Sequence, residues 1–187
     1  MIKIAIVGNI ASGKSTAEEI IKSKGYKVAD CDEISHKILK NSKEIKIAFK
    51  DYDILECGEI SRYKLGKLVF GNKALREKLE NIIHPIIKKE IEIFFEQNLD
   101  EKYVFVSVPL LFEAGMKNIF DKIIFIYAND EIRLKRLMKR NNYSKEYAIQ
   151  RMNCQQSQDE KIKKSDYIIY NNTTIDDLNT QITKIIG

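Results

Sequence analysis

The sequence has few of the residues that build covalent or metal frameworks: three cysteines and two histidines in 187 residues. Cys31, Cys57 and Cys154 are odd in number, widely spaced and form no CxxC pair. Only His36 and His84 could join them, so neither a disulfide framework nor a zinc site is expected. Reduced thiols in a cytoplasmic protein are the expectation. Long apolar runs are also missing; none approaches the ~20 residues of a membrane span. The opening MIKIAIVG is too short and too lightly charged for a signal peptide. Membrane insertion and secretion are therefore not expected. Charge of one sign is scarce too, with 32 Lys and Arg against 27 Asp and Glu. That mild excess does not call for nucleic acid and suits an anionic small molecule equally well. No repeat or low-complexity tract is present. With only two prolines and eight glycines, each becomes a landmark.

What is there reads as α/β. Ile2 to Val7 is an apolar, Ile- and Val-rich run ending at Gly8, the pattern of a buried parallel strand. Lys14 to Lys24 turns helical, with Ala17, Ile20 and Ile21 on one face and Glu18, Glu19 and Lys22 on the other. Gly25 stops it, and Tyr26 to Ala29 is a second strand. A βαβ unit of this kind implies a parallel sheet covered by helices. Residues 33–98 are helical in texture. Within them Leu75 to Phe95 carries apolar residues at helical spacing, and Pro85 is expected to bend or split that helix. Strands resume at 103–108, 122–127 and 167–170, and Thr174 is placed to cap a last helix with Asp176 and Asp177 in its first turn. The expectation is a single α/β domain built on a five-stranded parallel sheet with helices on both faces. Its core covers about 1–40, 101–135 and 160–187, a helical subdomain about 41–100, and a helical lid about 136–159.

The P-loop assignment rests on Gly8-Asn9-Ile10-Ala11-Ser12-Gly13-Lys14-Ser15, which fits GxxxxGK[ST] and is followed by Thr16. It lies between a strand and an amphipathic helix, as its mechanics require. Gly8 permits a sharp exit from the strand. Gly13 lets successive N–H groups turn inward, and the helix beyond adds the positive end of its dipole. Lys14 would reach the β- and γ-phosphates of a nucleotide, and the Ser15 hydroxyl would ligate Mg²⁺.

Among P-loop proteins a GTPase is disfavoured: the only Asn-Lys, Asn72-Lys73, continues as Ala-Leu, and the strand at 103–108 ends without an acid. A kinase needs a carboxylate near the γ-phosphate and cations for the moving charge. Asp30 and Asp32 follow the second strand, and one of them is expected to cap the next helix. From Arg133 to Arg151 seven cations face one acid, Glu146. Arg133, Lys135 and Lys139 are expected on a solvated face. Arg136 and Arg140, four apart, share a face suited to phosphate. Asn141-Asn142 breaks that helix and Ser144 begins another, a helix–loop–helix able to close as a lid.

Taken together these residues resemble the dephospho-coenzyme A kinase family, and the similarity runs over almost the whole chain. Val28-Ala29-Asp30-Cys31-Asp32, Gly58-Glu59-Ile60-Ser61-Arg62, the His84-Pro85 helix and Val108-Pro109-Leu110-Leu111-Phe112-Glu113 are similar to its segments. Arg136, Arg140, Arg151, Gln155, Lys161, Asp166 and Asn171 fall at the spacing of its lid and base regions. The resemblance implies transfer of the ATP γ-phosphoryl group to the ribose 3′-hydroxyl of dephospho-CoA, with Mg²⁺. Asp32 would be the base, and Lys14 and Arg140 would stabilise the phosphoryl group. Gly8, Ala11, Ser12, Gly13, Lys14, Ser15, Thr16, Arg136 and Asn171 would bind nucleotide. Arg62, His84 and Leu111, with Asp32, would line the acceptor side. A packing or capping role suits His84 equally well. The implied protein is a monomer or weak homo-oligomer acting on a small molecule, without nucleic acid or membrane. A kinase for a nucleoside or nucleotide, or a nucleic-acid-associated ATPase, is the alternative. Two departures stand out. Ser107 occupies a position where many relatives carry Asp. Asn9 and Ala11 replace frequent glycines, so ordinary backbone angles are expected at both, with a left-handed one tolerable at Asn9.

Overall fold

A run of aliphatic side chains buried on both faces sets the central strand. In a computed structural model that describes residues 1–187, β1 (Ile2–Val7) leads into α1 (Lys14–Ser23), β2 (Lys27–Asp30), α2 (Cys31–Asn41) and α3 (Lys43–Ala48). A small hairpin of β3 (Leu55–Glu56) and β4 (Glu59–Ile60) comes next, then α4 (Arg62–Phe70) and the long α5 (Lys73–Glu96). The chain continues through β5 (Tyr103–Ser107), β6 (Lys122–Tyr127), α6 (Asp130–Asn141), α7 (Lys145–Asn153), α8 (Gln158–Ile162), β7 (Tyr167–Tyr170) and α9 (Ile175–Ile186). The chain divides into two compact units, Met1–Ala29 with Asn98–Gly187, and Asp30–Gln97.

The five strands lie in the order β2-β5-β1-β6-β7. β1 runs parallel to β5 and β6, and β6 to β7, with Ile6 opposite both Ser107 and Ile124. Helices cover the sheet on both sides, the five-stranded parallel arrangement expected from the sequence. On one face Ile4, Ile6, Phe105, Ile124, Ile126 and Ile169 pack against α1 and α9. On the other, Ala5, Val7, Val104, Val106, Ile123 and Phe125 are equally buried. Burial on both faces is why these strands read as continuous apolar runs without polar alternation.

Thr174 and Asp177 form a reciprocal capping box at the start of α9. Hydrogen bonds from Thr173 and then Thr174 hold the Asp177 carboxyl below its usual pKa. That cap therefore contributes at neutral pH, and its contribution is lost as pH falls through the lowered pKa. No helix is long and apolar enough to cross a membrane.

The second unit packs α2 to α5 around Ile45, Phe49, Ile54, Ile60 and Leu65. Pro85 does not split α5, which runs from Lys73 to Glu96 with the proline inside. Ile83, Ile87, Ile91 and Phe95 are buried at successive i+4 positions on either side of it. An interior proline costs about 3 kcal/mol, and each such buried side chain returns about 1.5–3 kcal/mol, so the stripe outweighs the break.

Candidate active site

The eight residues after β1 wrap around the amino end of α1. Gly8 has to be glycine, because a Cβ there would lie 2.4 Å from Ser12 Oγ and 3.0 Å from the Ile126 carbonyl. Ser12 N–H donates to the Asn9 carbonyl at 3.0 Å, closing a turn. Gly13 caps α1 in the left-handed region, φ 92°, and a Cβ there would sit 1.9 Å from Asn171 Nδ2. No side chain caps α1 and no acid occupies its first turn. Its leading amides and the positive end of its dipole are thus left to an external anion. Ala11 departs from expectation: its φ is 61°, left-handed. Alanine carries the smallest side chain that can pay that cost of about 1–2 kcal/mol, and the surrounding hydrogen bonds hold it there. Asn9 does not share the positive φ.

Those bonds come from far along the chain. Gln155 Oε1 accepts from Ile10 N–H at 2.7 Å, Asn9 Nδ2 donates to the Gln156 carbonyl at 2.9 Å, and Arg133 Nε donates to the Ile10 carbonyl at 3.0 Å. Arg133 is therefore not on a solvated face; it is 3% exposed and paired with Asp130 at 2.8 Å. Burial lowers its pKa while the Asp130 carboxylate opposes that shift. A cavity of about 490 Å³ opens among Asn9, Tyr127, Asp130, Arg133, Gln155 and Gln158. Asn9 Oδ1, Arg133 Nη2 and Gln158 Oε1 are buried without protein partners.

On the other flank, Asn171 Nδ2 donates to the Ser12 carbonyl at 2.8 Å. Arg136 donates to the same carbonyl at 3.4 Å and to the Asn171 carbonyl at 3.1 Å. Arg136 and Asn171 thus sit together beside Gly13. Arg140, one turn further along α6, is exposed and donates to Asn141 Oδ1 at 2.9 Å. Asn142 ends α6 with a left-handed φ of 52° and Ser144 caps α7. The expected helix–loop–helix is present.

Lys14 is not idle. Its amine donates to Glu18 Oε1 at 2.8 Å and to the Ser107 hydroxyl, which in turn donates to Glu18 Oε1 at 2.6 Å. Glu18 is 4% exposed and Ser107 0%, so Glu18 is buried although the helical pattern sets it on the face opposite Ala17, Ile20 and Ile21. Ser15 is exposed and Thr16 half-buried at the head of α1. Leu111 is fully buried. Lys161, also fully buried, pairs with Glu113 at 2.7 Å.

The second unit carries Asp32, Arg62 and His84. Asp30 Oδ1 accepts from Asp32 N–H at 2.7 Å, so Asp30 is the N-cap of α2 and Asp32 stands in its first turn. Arg62 Nη1 meets the His36 ring. His84 is half-buried on α5. No three His, Cys, Asp or Glu side chains gather as a metal cage. The donors at the head of α1, the Ser15 hydroxyl and the Glu18 carboxylate, fit a hard cation that keeps most of its ligands from phosphate and water.

A family model described as dephospho-CoA kinase matches residues 2–177. A dephospho-CoA kinase of Listeria innocua is 39% identical, the alignment covering 98% of this chain and 94% of that protein. Among solved structures, one from Thermus thermophilus superposes with a TM-score of 0.88 at 31% identity, covering 99% of this chain and 95% of its own. A dephospho-CoA kinase from Campylobacter jejuni does so at 0.77 and 38%, covering 98% and 94%.

Proposed function

We propose a residue-level mechanism for a chain that belongs to the dephospho-CoA kinase family. Its reaction is the ATP-dependent phosphorylation of dephospho-CoA to CoA, the last step of coenzyme A synthesis. The observation that carries the assignment of roles is the Gly8–Ser15 cradle, with an uncapped α1 and Lys14 at its head.

The triphosphate lies along the amides of residues 11–16, with Lys14 on the β- and γ-phosphate oxygens. Arg136 and Asn171, beside Gly13, hold the nucleoside end. Asp32 accepts the proton of the ribose 3′-hydroxyl as that oxygen bonds to the γ-phosphorus. The bond from the γ-phosphorus to the bridging oxygen breaks, and ADP departs. Asp32 later returns its proton to water. Arg62 and the His84 segment line the acceptor, and Arg140 turns to the transferring group as residues 136–159 close. Closure keeps water from taking the phosphoryl group. Mg²⁺ bound with ATP supplies neutralisation of the phosphate charge, and Ser15 Oγ is the hydroxyl this chain offers to hold it. The chain works in the cytoplasm as a monomer or weak homo-oligomer, a setting consistent with three cysteines that form no disulfide.

An acceptor panel at fixed ATP tests the assignment through ADP release. Turnover is expected with dephospho-CoA and not with nucleoside monophosphates. Phosphorylation of a nucleoside monophosphate with none of dephospho-CoA would overturn it.

A further inference from the structure

The strand beside the P-loop strand is where P-loop enzymes commonly carry the acid of the magnesium site. Here that strand, β5, ends in Ser107, directly opposite Ile6 and fully buried. A hydroxyl alone carries no charge to offset a divalent cation. The missing carboxylate is present, supplied from a different element. Glu18, one turn after Lys14 on α1, reaches the Ser107 hydroxyl at 2.6 Å across 89 residues of sequence.

Three features set this apart from an ordinary helix pair. An exposed i,i+4 ion pair is worth a few tenths of a kcal/mol, and its members stay in water. Glu18 and Lys14 instead have side chains only 6% and 14% exposed. Both contacts to Glu18 fall on Oε1, which leaves Oε2 outside the network. Ser15, three residues before Glu18, shares its side of α1. When a triphosphate draws the Lys14 amine onto its own oxygens, Glu18 is left as a buried anion with one hydroxyl donor. A buried charge in that position demands a new counter-ion.

Building on the nucleotide site proposed above, we infer that Glu18, oriented by Ser107, is the carboxylate this enzyme presents to the nucleotide-bound divalent cation. It neutralises Lys14 in the absence of nucleotide and joins the cation's surrounding shell in its presence. The acid has in effect moved from β5 to α1.

The swap can be reversed by mutation and read without turnover. Mn²⁺ binding to the enzyme–ADP complex is titrated by the loss of the free-ion paramagnetic resonance signal, alongside calorimetric binding of metal-free ADP. Glu18→Gln is expected to weaken Mn²⁺ binding by about 10–100-fold, the range for residues around a metal's direct ligands, with metal-free ADP bound at least as tightly as by the wild type. The double variant Glu18→Ala with Ser107→Asp should recover most of the Mn²⁺ affinity that Glu18→Ala alone loses. Unchanged Mn²⁺ affinity in Glu18→Gln, equal loss of metal-free ADP binding, or a double variant no better than Glu18→Ala would each overturn the inference. A wild-type protein that binds ADP with no dependence on metal also removes it, while leaving the nucleotide site standing. Failure to bind ADP at all removes the nucleotide site itself.

Discussion

Lys14→Ala is expected to lower turnover by on the order of 10²–10³-fold, the size of effect when one preorganised donor to developing charge is lost. The same change breaks the contact with Glu18, whose carboxylate is buried beside Ser107. Removing one member of a buried pair costs about 3–5 kcal/mol, so a stability loss and a catalytic loss arrive together. They separate in Lys14→Met combined with Glu18→Gln, which removes both charges while keeping both volumes. Thermal stability should return toward wild type in that double variant, and turnover should not. Turnover that recovers with stability would mean that Lys14 acts only as a structural partner of Glu18.

Asp32→Asn is expected to lose on the order of 10²–10⁴-fold in kcat, the usual worth of a positioned general base, with ATP affinity unchanged. The neighbouring carboxylate gives an internal comparison. Asp30 is engaged as the N-cap of α2, accepting from Asp32 N–H. Asp30→Ala should cost about 1 kcal/mol of stability and far less of the turnover. Near-normal kcat in Asp32→Asn, or a larger catalytic loss from Asp30→Ala, would move the base away from Asp32.

How much of this was legible in the sequence differs residue by residue. The P-loop was, because its signal is a set of backbone demands that few residues meet. At Gly13 a side chain would collide with Asn171, and at Gly8 with Ser12 and the β6 backbone. The sheet was legible as well, since strands covered on both faces must be apolar throughout. The sequence pair Asp30 and Asp32 could be framed as one cap and one other role, and the capping hydrogen bond assigns the cap to Asp30.

What stayed hidden was polar burial. A helical pattern sorts residues by type, and by that rule Glu18 and Arg133 belong outside. Each is buried because a partner from a distant segment meets it: Ser107 in one case, the Ile10 carbonyl in the other. Nothing within one helix announces such a partner. The one local signal is the uncharged Ser107 at the end of β5, which meets the Glu18 carboxylate. For a related reason Pro85 does not split α5: the lost hydrogen bond is a local cost, and the buried stripe on both sides of it outweighs that cost. At Ala11 the constraint runs the other way. The loop's long-range bonds impose a left-handed angle on a residue that would not choose it.

The most direct test of the account follows phosphorus through the reaction. Purified protein, ATP, Mg²⁺ and dephospho-CoA are monitored by phosphorus NMR. A new phosphomonoester resonance, coupled to the ribose 3′ proton and growing one-for-one with ADP, is the result expected. ADP appearing with inorganic phosphate while dephospho-CoA stays unmodified, or a phosphate arriving at any other hydroxyl, would contradict it.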